Sequence, residues 1–109
     1  MAAAMRELRK GLALQVAGKE ITGNVEYYPD AKSLVIFHND GWDALLLTVP
    51  RDEAGDAADA LDPDQVLLRN WTEHRGIGEQ LAAQGLLELT GDEVKVGMFR
   101  LQALVARVL

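Results

Sequence analysis

Between residues 12 and 49, apolar and polar side chains alternate with a period of two, which is typical of β-strands that bury one face. Three stretches rich in Gly, Pro or Asp interrupt the alternation, at residues 18–19, 29–32 and 40–41. Each has the composition of a tight turn between antiparallel strands. The pattern therefore predicts a four-stranded antiparallel meander.

The three turns also predict which residues lie opposite each other. The predicted pairs are Val16 with Ile21, Tyr27 with Leu34, and Ile36 with Leu45. All of them lie on one face of the sheet, because successive side chains of a strand point to opposite faces. This face is apolar along its whole length and consists of Leu12, Leu14, Val16, Ile21, Val25, Tyr27, Leu34, Ile36, Leu45, Leu47 and Val49. We expect it to form the core.

The opposite face of the meander is polar in its first half and apolar in its second. The apolar part consists of Val35, Phe37, Trp42 and Leu46. Burial of each of these side chains contributes about 1.5–3 kcal/mol, so we expect something to cover them. The cover is either the second half of this chain or a second copy of it.

A different spacing precedes the meander. Met5, Leu8 and Leu12 recur at the interval of a helical turn, and Gly11 can adopt the left-handed conformation that ends a helix. Residues 1–11 are therefore predicted as a short helix or a frayed tail.

Helical and strand patterns alternate after the meander. Residues 52–61 are predicted as an acidic helix lying across the meander, with Ala and Leu on its inner side and Asp on its outer side. Gly55 weakens this helix by about 1 kcal/mol. The apolar run within residues 65–70 predicts a buried strand.

A second helix is predicted to begin between residues 72 and 76 and to end at Gln84. Gly85 is suited to close it, because glycine adopts the left-handed conformation without strain. This ending would place Leu86 against Leu81.

The last part of the chain is predicted as strands. Residues 87–96 fit a hairpin that turns at residues 91–92 and sets Glu88 opposite Lys95. Residues 99–109 fit a further strand. The whole chain is thus predicted as one α+β domain over residues 1–109.

Composition restricts the chemistry that is available. The 109 residues are 49% apolar and 26% charged, with a net charge of −6, as in an acidic globular domain. The absence of cysteine excludes a disulfide framework, a thiolate nucleophile and Cys-type metal sites. Since there are only two histidines and one serine, we expect no metal and no cofactor.

The chain also lacks the patterns of membrane insertion and secretion. No apolar run approaches the roughly 20 residues of a membrane-spanning helix. The first ten residues lack the apolar stretch of a secretory leader. We therefore expect a cytoplasmic protein without membrane contacts.

The first candidate for chemistry is the pair formed by His38 and Asp43. The turn at residues 40–41 would set them opposite each other, and a carboxylate can orient an imidazole for acid–base catalysis. The alternative is an ion pair that closes the end of a hairpin, which we favour because no nucleophile or metal ligand is placed beside it.

The second candidate lies at the junction between a strand and a helix, in residues 70–78. Arg75 and the amides of Gly76 and Gly78 could hold a phosphate or carboxylate, with His74 nearby as an acid–base group. The alternative is an ordinary helix start in which His74 belongs to the core, with Ile77 on the same side. The pattern lacks the lysine of a phosphate-binding loop.

Two further interpretations concern nucleic acids. The acidic residues within 52–64 could mimic the phosphates of a nucleic acid, but we favour the alternative that they form a solvated helix face. Residues 78–96, read as a helix and hairpin, resemble the last helix and wing of winged-helix proteins, and the resemblance implies DNA binding. Residues 76–85 contain no Lys or Arg, so we do not expect a nucleic acid partner.

The function that we expect from the sequence is binding or regulation through contacts with proteins, without catalysis. The predicted contact surface is the apolar set Val35, Phe37, Trp42 and Leu46, and the predicted partners are a second copy of the chain, forming a homodimer, or another protein. A small acid–base enzyme that uses His38 with Asp43, or His74 with Arg75, is the alternative.

Overall fold

Four strands form the first antiparallel sheet of the protein, which we describe from a computed structural model covering residues 5–38 and 44–109. They are β1 (Arg6–Val16), β2 (Lys19–Tyr28), β3 (Ser33–His38) and β4 (Ala44–Leu46), and they are adjacent in chain order. The predicted four-stranded meander is confirmed.

Three strands of the described part of the chain form a second antiparallel sheet. They are β5 (Gln65–Leu68), β6 (Leu87–Val96) and β7 (Leu101–Val108), with β7 in the middle. The helices are α1 (Arg51–Ala54), α2 (Asp56–Asp59) and α3 (Ile77–Ala83). The predicted α+β class is confirmed.

The registers of β2 with β3 and of β3 with β4 are those that the turns predict. Tyr27 pairs with Leu34, and Ile36 pairs with Leu45. The predicted turn at residues 40–41 lies outside the described residues. The predicted inner face is confirmed as core, since its side chains are buried or pack against buried ones.

The predicted register of the first hairpin is wrong by two residues. Val16 pairs with Lys19, and Ile21 lies opposite Leu14. The turn is formed by Ala17 and Gly18, whose positive φ angles of 53° and 80° suit a two-residue hairpin turn. A shift of two residues keeps each side chain on its predicted face.

The predicted helix or frayed tail at the start of the chain is also wrong from residue 6 onward, because these residues belong to β1. A helix this short is marginal by itself, whereas pairing with β2 satisfies the backbone. Gly11 does have the left-handed conformation, with φ 65°, but it lies at an irregularity in the strand. Its amide donates a hydrogen bond to Oδ1 of Asn24 at 3.0 Å.

The predicted acidic helix is interrupted at Gly55, whose φ of 56° separates α1 from α2. Ala54 and Ala58 are buried and Asp52 is exposed, so the two faces are as predicted. The position is different, because these helices cover the second sheet rather than the meander. The apolar cluster beneath them contains Val49, Leu67, Val96, Ala103 and Val105.

The end of α3 is as the sequence predicts. The amide of Gly85 donates to the carbonyl of Ala82 at 3.0 Å, and the amide of Leu86 donates to the carbonyl of Leu81 at 3.1 Å. These two bonds define a Schellman ending. Both leucines are buried in the main core.

The predicted hairpin within residues 87–96 is wrong, because these residues form the single strand β6. Glu88 pairs with Arg107 and Lys95 pairs with Gln102, both in β7. Gly91, with φ 91°, lies where the register with β7 shifts, so it forms an irregularity in a strand instead of a turn. The wing implied by the winged-helix resemblance is therefore not formed.

The two sheets are joined at one edge. Thr48 forms a bridge with Leu68, and the amide of Val49 donates to the carbonyl of Leu67 at 2.8 Å. The inner face of the meander packs on one face of the second sheet and on α3. The other face of the second sheet lies under α1 and α2. One end of that face borders the groove that forms the candidate site.

Candidate functional site

A groove of about 440 Å³ lies between α1, the end of β5 and the turn from β6 to β7. Most of its lining is apolar, with two charged side chains. The lining residues are Glu53, Arg69, Trp71, Val96, Gly97, Met98, Phe99 and Leu101. We call this feature the tip groove.

The backbone of the turn places two apolar side chains in solvent at the mouth of the tip groove. The amide of Arg100 donates to the carbonyl of Gly97 at 3.2 Å, and both residues have positive φ angles, of 52° and 74°. Met98 is 90% exposed and Phe99 is 81% exposed. These are the highest values among the exposed large hydrophobic residues of the described chain.

Arg69, one of the residues that line the tip groove, is held in place by hydrogen bonds of its backbone and its side chain. Its amide donates to the carbonyl of Leu47 at 3.1 Å, and its Nε donates to the carbonyl of Thr48 at 3.1 Å. The same contacts join the two sheets. One positive charge is thereby held at a defined place in the tip groove, with Glu53 supplying a negative charge in the same lining.

His74 belongs to the core, as expected for an ordinary helix start in this segment. It is buried, and its Nε2 lies 3.1 Å from the carbonyl oxygen of Leu46. Because a carbonyl oxygen can only accept, Nε2 carries the proton of this hydrogen bond. The bond ties the turn before α3 to β4.

His38 lies at the end of β3, half-buried and opposite Gly23. Its predicted partner Asp43 lies outside the described residues, so the acid–base pair stays a prediction. Neither His38 nor His74 is among the residues that line the tip groove.

The residues of the predicted anion site differ in their exposure to solvent. Arg75 is exposed, whereas the amide of Gly76 donates to Oδ1 of Asn70 at 3.2 Å. Gly78 is buried, and a Cβ there would lie 3.2 Å from Leu68 Cδ1. Close packing of α3 on β5 therefore accounts for Gly78, and the anion site stays a prediction.

The outer face of β3 and β4 is a second apolar surface, which we call the sheet patch. Phe37 is 37% exposed, while Val35 and Leu46, which pair across the strands, are half-buried. Ile36 is fully buried, so it and Phe37 point to opposite faces as predicted. The fourth predicted member, Trp42, lies outside the described residues.

Two of the acidic residues that suggested mimicry of a nucleic acid have a structural partner. A guanidinium nitrogen of Arg107 donates to the Asp62 carboxylate at 3.2 Å. Its Nε lies 3.1 Å from the Asp64 carboxylate, which is an ion-pair distance without hydrogen-bond geometry. These pairs tie the segment before β5 to β7. Mimicry stays a hypothesis that rests on the exposed carboxylates of α1 and α2.

The sequence does not predict the tip groove, because Phe99 falls within the predicted strand of residues 99–109. In the structure Phe99 belongs to the turn, and Trp71 is only half-buried. Gly97 is the feature that could have located the turn, since it interrupts the alternation between β6 and β7.

Comparison with known proteins adds no assignment to this geometry: no family model, no curated protein and no solved structure matches the chain. Within residues 5–38 and 44–109, no group of three His, Cys, Asp or Glu side chains could hold a metal ion. In the same residues, no helix has both the length and the apolar character needed to span a membrane.

Proposed function

We propose that this protein is a non-enzymatic binding or regulatory domain that acts through contacts with proteins. The observation that carries the proposal is the exposure of Met98 and Phe99, side by side, at the mouth of a groove that contains Trp71. Aromatic residues and methionine are enriched in the contact surfaces of proteins. Burial of Met98 and Phe99 in a complex would contribute about 1.5–3 kcal/mol each.

The polar groups near the tip groove support binding rather than catalysis. Its charged lining residues are Glu53 and Arg69, and Arg69 already donates through Nε to a backbone carbonyl. The two histidines, on which an acid–base enzyme would depend, lie elsewhere. His74 has its Nε2 bonded to a backbone carbonyl within the core.

The sheet patch is a second candidate contact surface. A homodimer through Val35, Phe37, Trp42 and Leu46 would bury this surface, as the sequence suggests. Phe37 is less than half as exposed as Phe99, so a partner has less apolar area to gain there. We therefore rank the tip groove first.

Photo-cross-linking tests whether the tip of the β6–β7 turn touches proteins. A photoreactive phenylalanine analogue is placed at position 99 and the full chain is produced in its natural cells. We expect covalent adducts with one or a few polypeptides, identified by mass spectrometry. The matched control carries the analogue at position 88, an exposed residue at the other end of β6, and should give none. Equal and diffuse labelling from both positions, or no adduct from position 99, would overturn the proposal.

A further inference from the structure

The tip groove and the turn beside it form a surface that has both a protrusion and a recess. Met98 and Phe99 stand out in solvent, and the space of about 440 Å³ lies directly next to them. This volume is in the range of pockets that enclose small molecules, so it can receive a side chain as large as phenylalanine. A surface with both shapes can fit a second copy of itself.

A two-fold contact requires the same patch on both molecules to be complementary to itself. The tip groove meets this requirement in charge as well as in shape, because Glu53 and Arg69 carry opposite charges in one lining. A two-fold axis that passes between these two side chains would set Glu53 of one copy opposite Arg69 of the other, and the reverse. A lining with charges of a single sign would instead favour a partner that carries the opposite charge.

On these grounds, and resting on the proposed function, we infer that a second copy of this chain is the partner of the tip groove. The Phe99 side chain of each copy enters the groove of the other, against Trp71. The dimer is symmetric, and it buries the turn, the groove and the adjoining side of α1. It leaves the sheet patch free.

The size of the surface indicates a weak dimer. A stable interface of standard size takes about 800 Å² from each partner. The whole accessible surface is 6360 Å², so such an interface would occupy about one eighth of it. Eight residues line the tip groove, fewer than the roughly 20–30 that such an interface takes from each partner, so we expect a dissociation constant on the order of micromolar.

Sedimentation velocity over a concentration series tests the inference. Because each substitution occurs twice in a symmetric dimer, Phe99→Ser should raise the dissociation constant by about 100-fold or more. Phe37→Ser, which changes the exposed aromatic residue of the sheet patch, is the matched control. This substitution should change the dissociation constant by less than about threefold. The circular dichroism spectra of both variants should be unchanged, because both side chains reach solvent.

A charge exchange tests the two-fold arrangement itself. Glu53→Arg alone and Arg69→Glu alone would place like charges opposite each other, so each protein should be mostly monomeric. A mixture of the two should form heterodimers, because each copy then meets its opposite charge. Arg69→Glu also removes the bond to Thr48, so its folding must be checked first. If it fails to fold, Phe99→Ser decides the question.

Three outcomes would overturn the inference. The first is a parent protein that stays monomeric at a protein concentration about 100 times the expected dissociation constant. The second is a Phe99→Ser variant that dimerises as strongly as the parent, and the third is a loss of dimers in Phe37→Ser alone. The cross-linking experiment separates this failure from failure of the proposed function. Adducts of position 99 with another polypeptide would support the proposed protein-binding function and contradict the inference that the partner is a second copy. Adducts of this chain with itself would support both.

Discussion

Gln80 in α3 closes the outer edge of β1 by exchanging two hydrogen bonds with the backbone of Gln15. The amide of Gln15 donates to Oε1 of Gln80 at 2.7 Å, and Nε2 of Gln80 donates to the carbonyl of Gln15 at 2.9 Å. A side-chain amide thus takes the place of a neighbouring strand. An edge covered in this way is less available for pairing with another chain.

Removal of this side chain should weaken the fold and expose the edge. We expect Gln80→Ala to lower the free energy of unfolding by about 1–2 kcal/mol, since two net hydrogen bonds of about 0.5–1.5 kcal/mol each are lost at a partly solvated site. Urea denaturation measures the change. Gln84→Ala is the matched control, because it removes an exposed glutamine side chain at the end of the same helix, so its effect should be smaller. Equal stability of parent and Gln80→Ala would show that the bonds contribute nothing.

The two histidines should differ in their effect on stability. His74→Ala leaves the carbonyl of Leu46 without its donor and creates a cavity, so we expect a loss of about 2–4 kcal/mol in the free energy of unfolding. His38→Ala, at a half-buried strand end, should cost less than about 1 kcal/mol. Thermal and urea unfolding compare the two. If His38→Ala abolished a measurable reaction while the protein remained folded, the non-enzymatic proposal would be wrong.

The stability of the protein should fall at alkaline pH through Tyr27. Burial raises the pKa of Tyr27 above its usual 10.0, and the nearby Arg6 offsets only part of this effect. Because the folded state favours the neutral hydroxyl, its contribution is complete below pH 10 and is lost as the pH rises through the higher folded pKa. The hydroxyl also donates to the carbonyl of Pro63 at 3.3 Å, a bond that ionisation removes.

Urea denaturation between about pH 9 and about pH 11 tests this dependence on Tyr27. Tyr27→Phe cannot ionise, so its free energy of unfolding should decline less steeply than that of the parent. At pH 7 the variant should be less stable by about 1 kcal/mol, the typical net value of a hydrogen bond. Parallel curves for the two proteins would exclude Tyr27 as the source of the decline.

Salt should strengthen the proposed dimer. Each copy carries a net charge of −6, so two copies repel each other at low ionic strength. The screening length falls from about 30 Å at 0.01 M salt to about 8 Å at 0.15 M salt, which weakens this repulsion more than it weakens close ion pairs. Sedimentation velocity at these two salt concentrations should show a larger fraction of dimer at the higher salt concentration. A dimer that weakens with salt would contradict this prediction and show that the attraction between Glu53 and Arg69 outweighs the repulsion between the two net charges.

The sequence predicts the fold best where a turn depends on its own residues. Pro29 fixes its own φ and Asp30 favours a turn, so the register of Tyr27 with Leu34 follows from local chemistry. For residues 87–96, a hairpin and a single strand both satisfy the same alternation. The choice between them depends on β7, which lies later in the chain and supplies partners for most of β6. Residues 87–96 by themselves carry no signal that decides between the two, and the glycine that marks the turn, Gly97, lies just beyond them.

The candidate site is harder to predict because it combines distant parts of the chain. Glu53, Trp71 and Phe99 are far apart in sequence and line one groove only when α1 packs on the second sheet. The apolar character of Phe99 favours a buried strand position, and the positive φ of the neighbouring Arg100 is not evident from its residue type. In contrast, the division of Ile36 and Phe37 between two faces follows directly from strand geometry.

The bridge between Thr48 and Leu68 has a consequence for how the protein matures on the ribosome. While only the meander has been translated, the Val49 amide and the Leu47 carbonyl lack their later partners, which are the Leu67 carbonyl in β5 and the Arg69 amide just after it. The inner face of the meander is likewise covered by β7, which is translated after the meander, β5 and β6. A nascent chain halted just after the meander should therefore depend on chaperones, because its apolar inner face has no cover until β7 has been synthesised.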